Sequence, residues 1–328
     1  MSHFTVLVIG DDYEKQLEPF WELDLNREDM IKDPRASFKD QTEEFLEEYN
    51  NGSITKIVMP DGRMLFPWNE EFQVQVPREN GNGYTTKKVI PEDAKEKEIQ
   101  FKDLYNSFDE FVKKWHGYEP NPDGQYGYYH NPNAKWDWYS VGGRWDGYFK
   151  LKEGASGLLG DPGIFGRRND NYTNRADQAK KGDIDFETMR MELVNKCLEN
   201  YDLFYKILNG RDYPNWDEIV EKHGKENIKE ARDEYYNHPV MKDLFDSNIA
   251  SDFEHFLIPR EEYKQKTYEG AITTYAVVKD GKWYQRGEMG WWGMSTNEKD
   301  ESEWNAEFYQ LLESLPDDTM LTLVDCHI

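Results

Sequence analysis

The sequence has few cysteines and no long apolar run. Of its 328 residues only Cys197 and Cys326 are cysteines, and they lie far apart in the chain, so we expect no disulfide framework. Their scarcity is typical of proteins that fold in a reducing compartment. No apolar stretch approaches the roughly 20 residues that a membrane-spanning helix needs. The opening MSHFTVLVIG lacks the basic region of a secretion signal, so we expect a strand there and a cytoplasmic protein.

Basic residues are also scarce. The chain has 40 lysine and arginine residues against 65 aspartate and glutamate residues, which gives a formal net charge of −25 at pH 7. Such a surface repels a phosphate backbone and an anionic bilayer, so we expect neither direct nucleic-acid binding nor membrane binding. The charge either keeps the protein dispersed or binds a basic patch on another protein.

Familiar catalytic motifs are missing as well. The sequence contains no G-x-S-x-G, H-E-x-x-H or C-x-x-C, and GLLGDPGIFGRR lacks the Gly-Lys-Ser/Thr ending of a phosphate loop. Near the chain ends, His3, Asp325, Cys326 and His327 have side chains that bind metals, but their spacing matches no zinc pattern. We therefore predict no metal site, with His3, Cys326 and His327 as the alternative.

Patterns at the two ends of the chain predict strands of one sheet. HFTVLVI near the N-terminus and TMLTLVDCHI at the C-terminus are rich in β-branched and apolar residues. If these strands pair antiparallel, His3 lies near Cys326 and His327. Helical spacing predicts one helix packed on this sheet, with the apolar stripe Trp304, Phe308, Leu311, Leu312 and Leu315.

The remaining patterns complete an α+β fold. Asp280-Gly281 between two strand-like runs predicts a type I′ hairpin in which Lys279 faces Lys282. From residue 184 to residue 258 the apolar spacing becomes helical. We therefore predict an α+β sheet domain at 1–183 and 259–328, whose antiparallel or mixed sheet joins the N- and C-terminal strands. A helical insertion is predicted at 184–258.

The segment KWDWYSVGGRWDGYF, residues 135–149, mixes aromatic rings with charged groups around two glycines. If Gly142-Gly143 forms a two-residue hairpin turn, strand alternation sorts the side chains onto two faces. The face expected to be core comprises Trp136, Trp138, Trp145 and Phe149. The other face is predicted either to bind a planar or anionic ligand or to be merely solvated, and it comprises Asp137, Tyr139, Arg144, Asp146 and Tyr148.

A second segment rich in glycine and tryptophan, RGEMGWWGM, spans residues 286–294. Its glycines indicate a loop with unusual dihedral angles or a close backbone approach. Adjacent Trp291 and Trp292 cannot both point into one core from a strand, so at least one is expected to line a cleft or the surface. Glu288 among these rings is a candidate general acid or base, together with Asp137. The alternative is a tight loop that only fills the core.

Five distinctive blocks of the sequence are MSHFTVLVIGDD, DWYSVGGRW, RADQAKKGDIDFE, GEMGWWG and LTLVDCHI. Together they resemble a family of uncharacterised proteins of bacteriophages and bacterial mobile elements. They are distributed from end to end of the chain. The resemblance implies no activity. It implies a phage accessory protein that acts in the host cytoplasm, where interference with host enzymes or immunity is a common role.

Two functional hypotheses follow. In the first, residues 136–149 and 286–294 form a pocket that binds or processes a small anionic or nucleotide-like ligand. Its predicted residues are Asp137, Tyr139, Arg144, Asp146, Tyr148, Glu288, Trp291 and Trp292. In the second, the acidic surface binds and inhibits a host protein, such as a defence protein, and the two segments only build the fold. The sequence leaves open whether the protein is an enzyme and which ligand, cofactor or host target it has.

Overall fold

The chain divides into two compact units. The computed structural model describes residues 2–78, 83–163, 173–247, 249, 253–290 and 294–328. Unit 1 comprises Met1–Glu22 and Asn133–Ile328, and unit 2 comprises Leu23–Pro132.

Both units contain helices and strands. The strands are β1 (His3–Ile9), β2 (Ser37–Asp40), β3 (Ser53–Val58), β4 (Met64–Leu65), β5 (Gln73–Pro77), β6 (Tyr84–Lys88), β7 (Lys95–Gln100), β8 (Gly127–His130), β9 (Trp138–Gly143), β10 (Phe149–Lys150), β11 (Asp161–Pro162), β12 (Arg175–Ala176), β13 (Gln178–Lys180), β14 (Ala276–Lys279), β15 (Lys282–Gln285), β16 (Glu288–Met289), β17 (Ser295–Thr296) and β18 (Met320–His327). The α-helices are α1 (Tyr13–Leu17), α2 (Arg27–Lys32), α3 (Thr42–Asn51), α4 (Phe101–Leu104), α5 (Phe108–Phe111), α6 (Phe186–Leu208), α7 (Trp216–His223), α8 (Ile228–Asn237), α9 (Pro239–Phe245), α10 (Arg260–Gly270) and α11 (Glu301–Ser314). The protein therefore has the predicted α+β fold.

A mixed sheet forms the centre of unit 1. Its strand order is β11-β9-β18-β1-β14-β15, and β13 also pairs with β18. The terminal strands β1 and β18 run antiparallel, with His3 opposite His327 and Phe4 opposite Cys326. This register confirms the predicted joining of the two strands.

The hairpin of β14 and β15 also has the predicted register. Lys279 lies opposite Lys282, and β14 runs parallel to β1 on its other side. The φ angles of Asp280 and Gly281 are 52° and 69°. Positive φ at both central residues is what a type I′ turn requires, so the local Asp-Gly signal was sufficient here.

Apolar clusters cover both faces of this sheet. Successive side chains of β1 point to opposite faces because the strand repeats every two residues. One cluster takes the even-numbered residues of β1 and includes Phe4, Val6, Val8, Val324 and Cys326. The other contains the apolar odd-numbered residues of β1 and the buried face of α11. It includes Leu7, Ile9, Leu323, Trp304, Phe308 and Leu312. Helix α11 is thus the helix predicted to pack on the sheet.

The described residues from 184 to 258 are mainly helical, as their apolar spacing predicted. Asp185 caps α6 by accepting a hydrogen bond from the backbone N–H of Thr188. This region contributes to a separate apolar cluster that includes Tyr201, Phe204, Met241, Leu244, Phe253, Phe256 and Tyr263. Its status as an insertion bounded at 184 and 258 stays a prediction.

Unit 2 has an aromatic core of its own. The core is formed mainly by α3, α4 and α5, and it includes Phe45, Phe101, Tyr105, Phe111 and Tyr126. Three small sheets belong to this unit, with strand orders β4-β3-β7, β5-β6 and β2-β8. Unit 2 therefore buries apolar surface within a continuous stretch of chain.

The segment 135–149 does not form the predicted hairpin. Strand β9 pairs antiparallel with β18 and parallel with β11, whereas β10 pairs with β12. After β9 the chain turns, and the N–H of Trp145 donates to the carbonyl of Gly142. The prediction was wrong because the edge of β18, which lies far away in sequence, outcompetes the local partner strand.

We expect Leu323→Ala to destabilise the protein by about 2–5 kcal/mol, because it empties a fully buried position of β18 beneath α11. The control is Leu158→Ala, whose side chain is 66% exposed and whose change should stay within about 0.5 kcal/mol. Urea unfolding followed by circular dichroism measures both. Equal effects of the two substitutions would contradict the assigned core.

Candidate functional site

Three ring side chains meet where β18 ends and where β1 and β9 begin. Trp138 lies opposite His327, and His327 lies opposite His3. Residues directly opposite in paired strands share one face of the sheet. The rings of Trp138 and His327 are stacked with centroids 4.8 Å apart, and the centroids of His327 and His3 are 4.9 Å apart, edge to face. The strand register thus brings two histidines and a tryptophan into one cluster, which we call the histidine cluster.

Each histidine of the cluster has its own carboxylate. Nδ1 of His3 lies 2.8 Å from Oδ1 of Asp325. Nδ1 of His327 lies 2.7 Å and 2.8 Å from the two carboxylate oxygens of Asp137. Because an ionised carboxylate only accepts hydrogen bonds, Nδ1 carries the hydrogen in both rings. Nε2 is therefore the nitrogen through which each neutral ring can accept a proton.

The two pairs are largely shielded from water. The side chains of His3 and Asp325 are 9% and 1% exposed, and those of His327 and Asp137 are 5% and 32% exposed. Hydrogen bonds between such groups are electrostatically stronger in a site of low dielectric constant than in water. The carboxylates can thus hold the rings in fixed orientations.

Further N–H groups fix the two aspartates. The backbone N–H of Arg144 donates to Oδ2 of Asp325 at 2.9 Å. The backbone N–H of Trp138 donates to Oδ1 of Asp137 at 2.7 Å, and the indole N–H of Trp21 donates to the Asp137 carbonyl at 3.0 Å. Both carboxylates therefore accept a backbone hydrogen bond in addition to their histidine.

Gly142 and Gly143 let the backbone pass close to two carboxylates. Their φ angles are 75° and 55°, in the region that favours glycine. A Cβ atom on Gly143 would lie 2.4 Å from Cβ of Asp325, and one on Gly142 would lie 2.5 Å from Oδ2 of Asp177. These glycines therefore make space for the carboxylates, which is the role that the hairpin prediction missed.

Asp177 is a buried anchor beside the cluster. Its carboxylate accepts hydrogen bonds from the backbone N–H groups of Tyr148 and Gly160 at 3.0 Å and 2.9 Å. Burial raises the pKa of Asp177, and these N–H groups oppose the shift only in part. Oδ2 of the nearby Asp146 is buried and has no hydrogen-bond partner among the described residues. Asp146 lies in the turn that follows β9, whereas Asp177 lies between β12 and β13.

The structure divides the predicted polar face. Asp137 and Arg144 both contact the histidine cluster. The carboxylate of Asp137 bonds to His327, and the backbone N–H of Arg144 donates to Asp325. Tyr139 points to the opposite face of the sheet, where its ring centroid lies 4.9 Å from that of Trp136 and burial raises its pKa to about 12. Tyr148 packs against the core beneath α11, and burial raises its pKa as well.

The predicted alternation of faces is therefore wrong, because it depended on the local hairpin. Tyr139 and Tyr148 lie on different sides of the sheet and pack in apolar surroundings. Trp138, predicted to be core, is 41% exposed. Trp136 and Phe149 are buried, as expected.

The second predicted segment is described only in part. Glu288 lies in the two-stranded ribbon of β16 and β17, is exposed, and accepts a hydrogen bond from Nδ2 of Asn297 at 3.2 Å. This exposure gives no support to the predicted acid–base role, which assumed apolar surroundings. Trp291 and Trp292 lie outside the described residues.

Cys326 cannot share a metal ion with the two histidines. It points to the face opposite to His3 and His327, because neighbouring residues of a strand alternate. Burial raises the pKa of its thiol, which disfavours the thiolate that binds metals. Within the described ranges, no group of three or more His, Cys, Asp and Glu side chains is arranged to hold a metal ion.

Sequence reasoning missed the pairing of each histidine with an aspartate. One signal was available, since Asp325 and His327 are two residues apart in a strand and must share a face with His3. The partnership of Asp137 with His327 depends on the pairing of β9 with β18, which no local pattern indicated. The role of Asp177 had no signal in the sequence.

Comparisons of the chain with protein-family models, with curated proteins and with solved structures found no match. Across the part of the chain that the structure describes, no helix combines the length and the apolar character needed to cross a membrane. The functional inference therefore depends on the geometry of the histidine cluster.

We expect Gly143→Ala to cost more stability than Gly154→Ala. Both glycines have positive φ, 55° and 76°, but a Cβ on Gly154 meets no atom within 4 Å. The control should lose about 1–2 kcal/mol from the left-handed conformation alone. Gly143→Ala should lose about 1–3 kcal/mol more, because its Cβ displaces Asp325. Urea unfolding gives both values, and equal losses would refute the close approach.

Proposed function

We propose that His3 and His327 form an acid–base pair that acts on a small anionic, nucleotide-like ligand. The observation that supports this proposal is the contact of two imidazole rings, 4.9 Å between centroids, each bonded through Nδ1 to its own carboxylate. Acid–base catalysis needs one group that takes a proton and another that gives one. Two histidines can fill both roles near neutral pH.

The proposed reaction is the hydrolysis or transfer of a phosphoester. One neutral imidazole accepts a proton at Nε2 from the attacking water or hydroxyl group. The other ring, as imidazolium, donates its Nε2 proton to the leaving oxygen. Asp325 and Asp137 keep the rings oriented and stabilise the positive charge that forms on the base. The attacking oxygen forms a bond to phosphorus as the bond from phosphorus to the leaving oxygen breaks. The proton from the acid matters most when that oxygen is a poor leaving group.

Arg144 and Trp138 are the proposed ligand-binding residues. The backbone of Arg144 is anchored on Asp325, and a guanidinium group binds phosphate or carboxylate with two parallel hydrogen bonds. Trp138 is stacked on His327 and is partly exposed, so it offers ring surface to a planar group. The net charge of −25 favours a small ligand over a nucleic acid.

We propose the host cytoplasm as the setting. The resemblance to phage and mobile-element proteins supports an accessory protein made in a bacterial host. Cys197 and Cys326 are both free thiols, which is typical of a reducing compartment.

The test measures hydrolysis of bis(4-nitrophenyl) phosphate and 4-nitrophenyl phosphate by absorbance of the released nitrophenolate. His3→Asn and His327→Asn keep a donor near the position of Nδ1 and remove Nε2. Loss of the base should reduce the rate by about a hundredfold or more, because general acid–base catalysis contributes about 10²–10⁴-fold. Loss of the acid should matter less, because 4-nitrophenolate leaves readily without a proton. Melting temperatures should change little, since the carboxylate keeps a partner.

The matched control is His223→Asn. His223 also contacts a carboxylate, Oε2 of Glu234 at 2.7 Å from its Nε2, but it lies in the helical region. This variant should keep the full rate. The proposal fails if neither ester is hydrolysed, or if the two cluster variants are as active as the control.

A second candidate function is inhibition of a host protein through the acidic surface. The net charge of −25 favours it, because such a surface attracts basic patches of proteins. The tagged protein should capture a basic partner from bacterial lysate at about 0.05 M salt and release it at about 0.5 M salt, where screening shortens the Debye length. A partner that stays bound at high salt would argue against recognition by charge.

A further inference from the structure

A row of aromatic rings in unit 2 borders a cavity. His116 is stacked on Phe45 with centroids 4.2 Å apart, and Phe45 is stacked on Tyr118 at 5.6 Å. Beyond Tyr118 the next ring is that of Tyr128, with a centroid distance of 6.5 Å and an angle of 22° between the planes. These rings are therefore nearly parallel, and their spacing increases along the row.

The cavity has about 280 Å³ and is lined by both tyrosines. Its other walls come from α2, from the residues just before it and from the chain on either side of the tyrosines, and they include Leu25, Met30, Gly117 and Gly127. Both tyrosine rings line the cavity, and their centroids are 6.5 Å apart. A planar ring bound in the cavity can therefore contact both tyrosines.

Neighbouring groups hold both tyrosines in place. Tyr118 is supported from one side by Phe45, which itself is buried. Tyr128 belongs to β8, where its ring contacts that of His130 with centroids 5.6 Å apart. Walls that are already ordered lose little conformational entropy when a ligand binds, so such a site is preorganised.

Positive charge lies beside the cavity. Arg27 lines it and is exposed, and its Nη2 donates to the carbonyl of Pro120 at 2.9 Å. A guanidinium group has five N–H donors, so further donors of Arg27 can bind an anion. Nζ of Lys39 lies 5.6 Å from the ring centroid of Tyr128. Two cations beside one aromatic cavity are notable in a chain of net charge −25.

We propose that this cavity binds a planar aromatic ring that carries an anionic group, such as a purine nucleotide. The ring packs against Tyr118 and Tyr128, the apolar side chains of Leu25 and Met30 contact its edge, and Arg27 binds the anion. This site lies within unit 2 and does not depend on the proposed function of the histidine cluster.

The test is isothermal titration calorimetry of the whole protein with AMP, 2-naphthoate, adenosine and ribose 5-phosphate. AMP or 2-naphthoate should bind, adenosine should bind more weakly than AMP, and ribose 5-phosphate should bind weakest because it has no ring. Tyr118→Leu and Tyr128→Leu should each weaken binding about tenfold or more, since stacking on an aromatic residue contributes this order of affinity. Arg27→Gln should weaken binding of AMP and leave binding of adenosine unchanged.

Two controls separate loss of the site from loss of the fold. Tyr128→Phe keeps the ring and should retain the affinity of the wild type. Tyr84→Leu removes an exposed tyrosine of β6 that is not part of the cavity, and it should have no effect. The proposal is overturned if neither AMP nor 2-naphthoate binds. It is also overturned if ribose 5-phosphate binds as tightly as AMP, or if both leucine variants of the site bind like Tyr84→Leu.

Discussion

The antiparallel pairing of β1 with β18 determines which residues meet in unit 1. Its register places His3 opposite His327, and the same strand, β18, continues the sheet to β9 and Trp138. A shift by one residue would turn every side chain of β1 to the other face and would separate the histidines. Apolar residues on both faces of β1 oppose such a shift, because each would leave its own cluster. The core that stabilises the sheet thus also fixes the geometry of the site.

Buried carboxylates are stable only when their charge is compensated. Asp325 is almost fully buried and meets this condition with one histidine and one backbone N–H. Asp137 has the same two kinds of partner. Desolvation of an unpaired carboxylate is costly, so Asp325 depends strongly on His3. Asp137 is 32% exposed and depends less on His327. In the proposed reaction these carboxylates would compensate the positive charge that forms on an imidazole.

Local patterns predicted the fold where local interactions decide it. Asp280-Gly281 forms the expected turn, because the two flanking strands are each other's nearest partner. Gly142 and Gly143 also have positive φ angles, yet β9 pairs with β18, which lies about half the chain away in sequence. These glycines allow the carboxylates of Asp177 and Asp325 to lie close to the backbone. Nothing in the segment itself identifies those two aspartates. Strand composition alone predicted that the two histidines lie close together. To predict their aspartate partners, the order of strands in the sheet would also have to be known.

The parts of the histidine cluster are widely separated along the chain, and this has a consequence for folding. Unit 2 is one continuous segment with its own core, so it can fold while later residues are still being synthesised. The cluster needs strands from near residue 3, residue 138 and residue 327, and closing such long loops is entropically unfavourable. High contact order makes this kind of pairing slow to form. The proton transfer proposed for the cluster therefore requires an assembled sheet, and a chain without its last strand would lack the paired histidines.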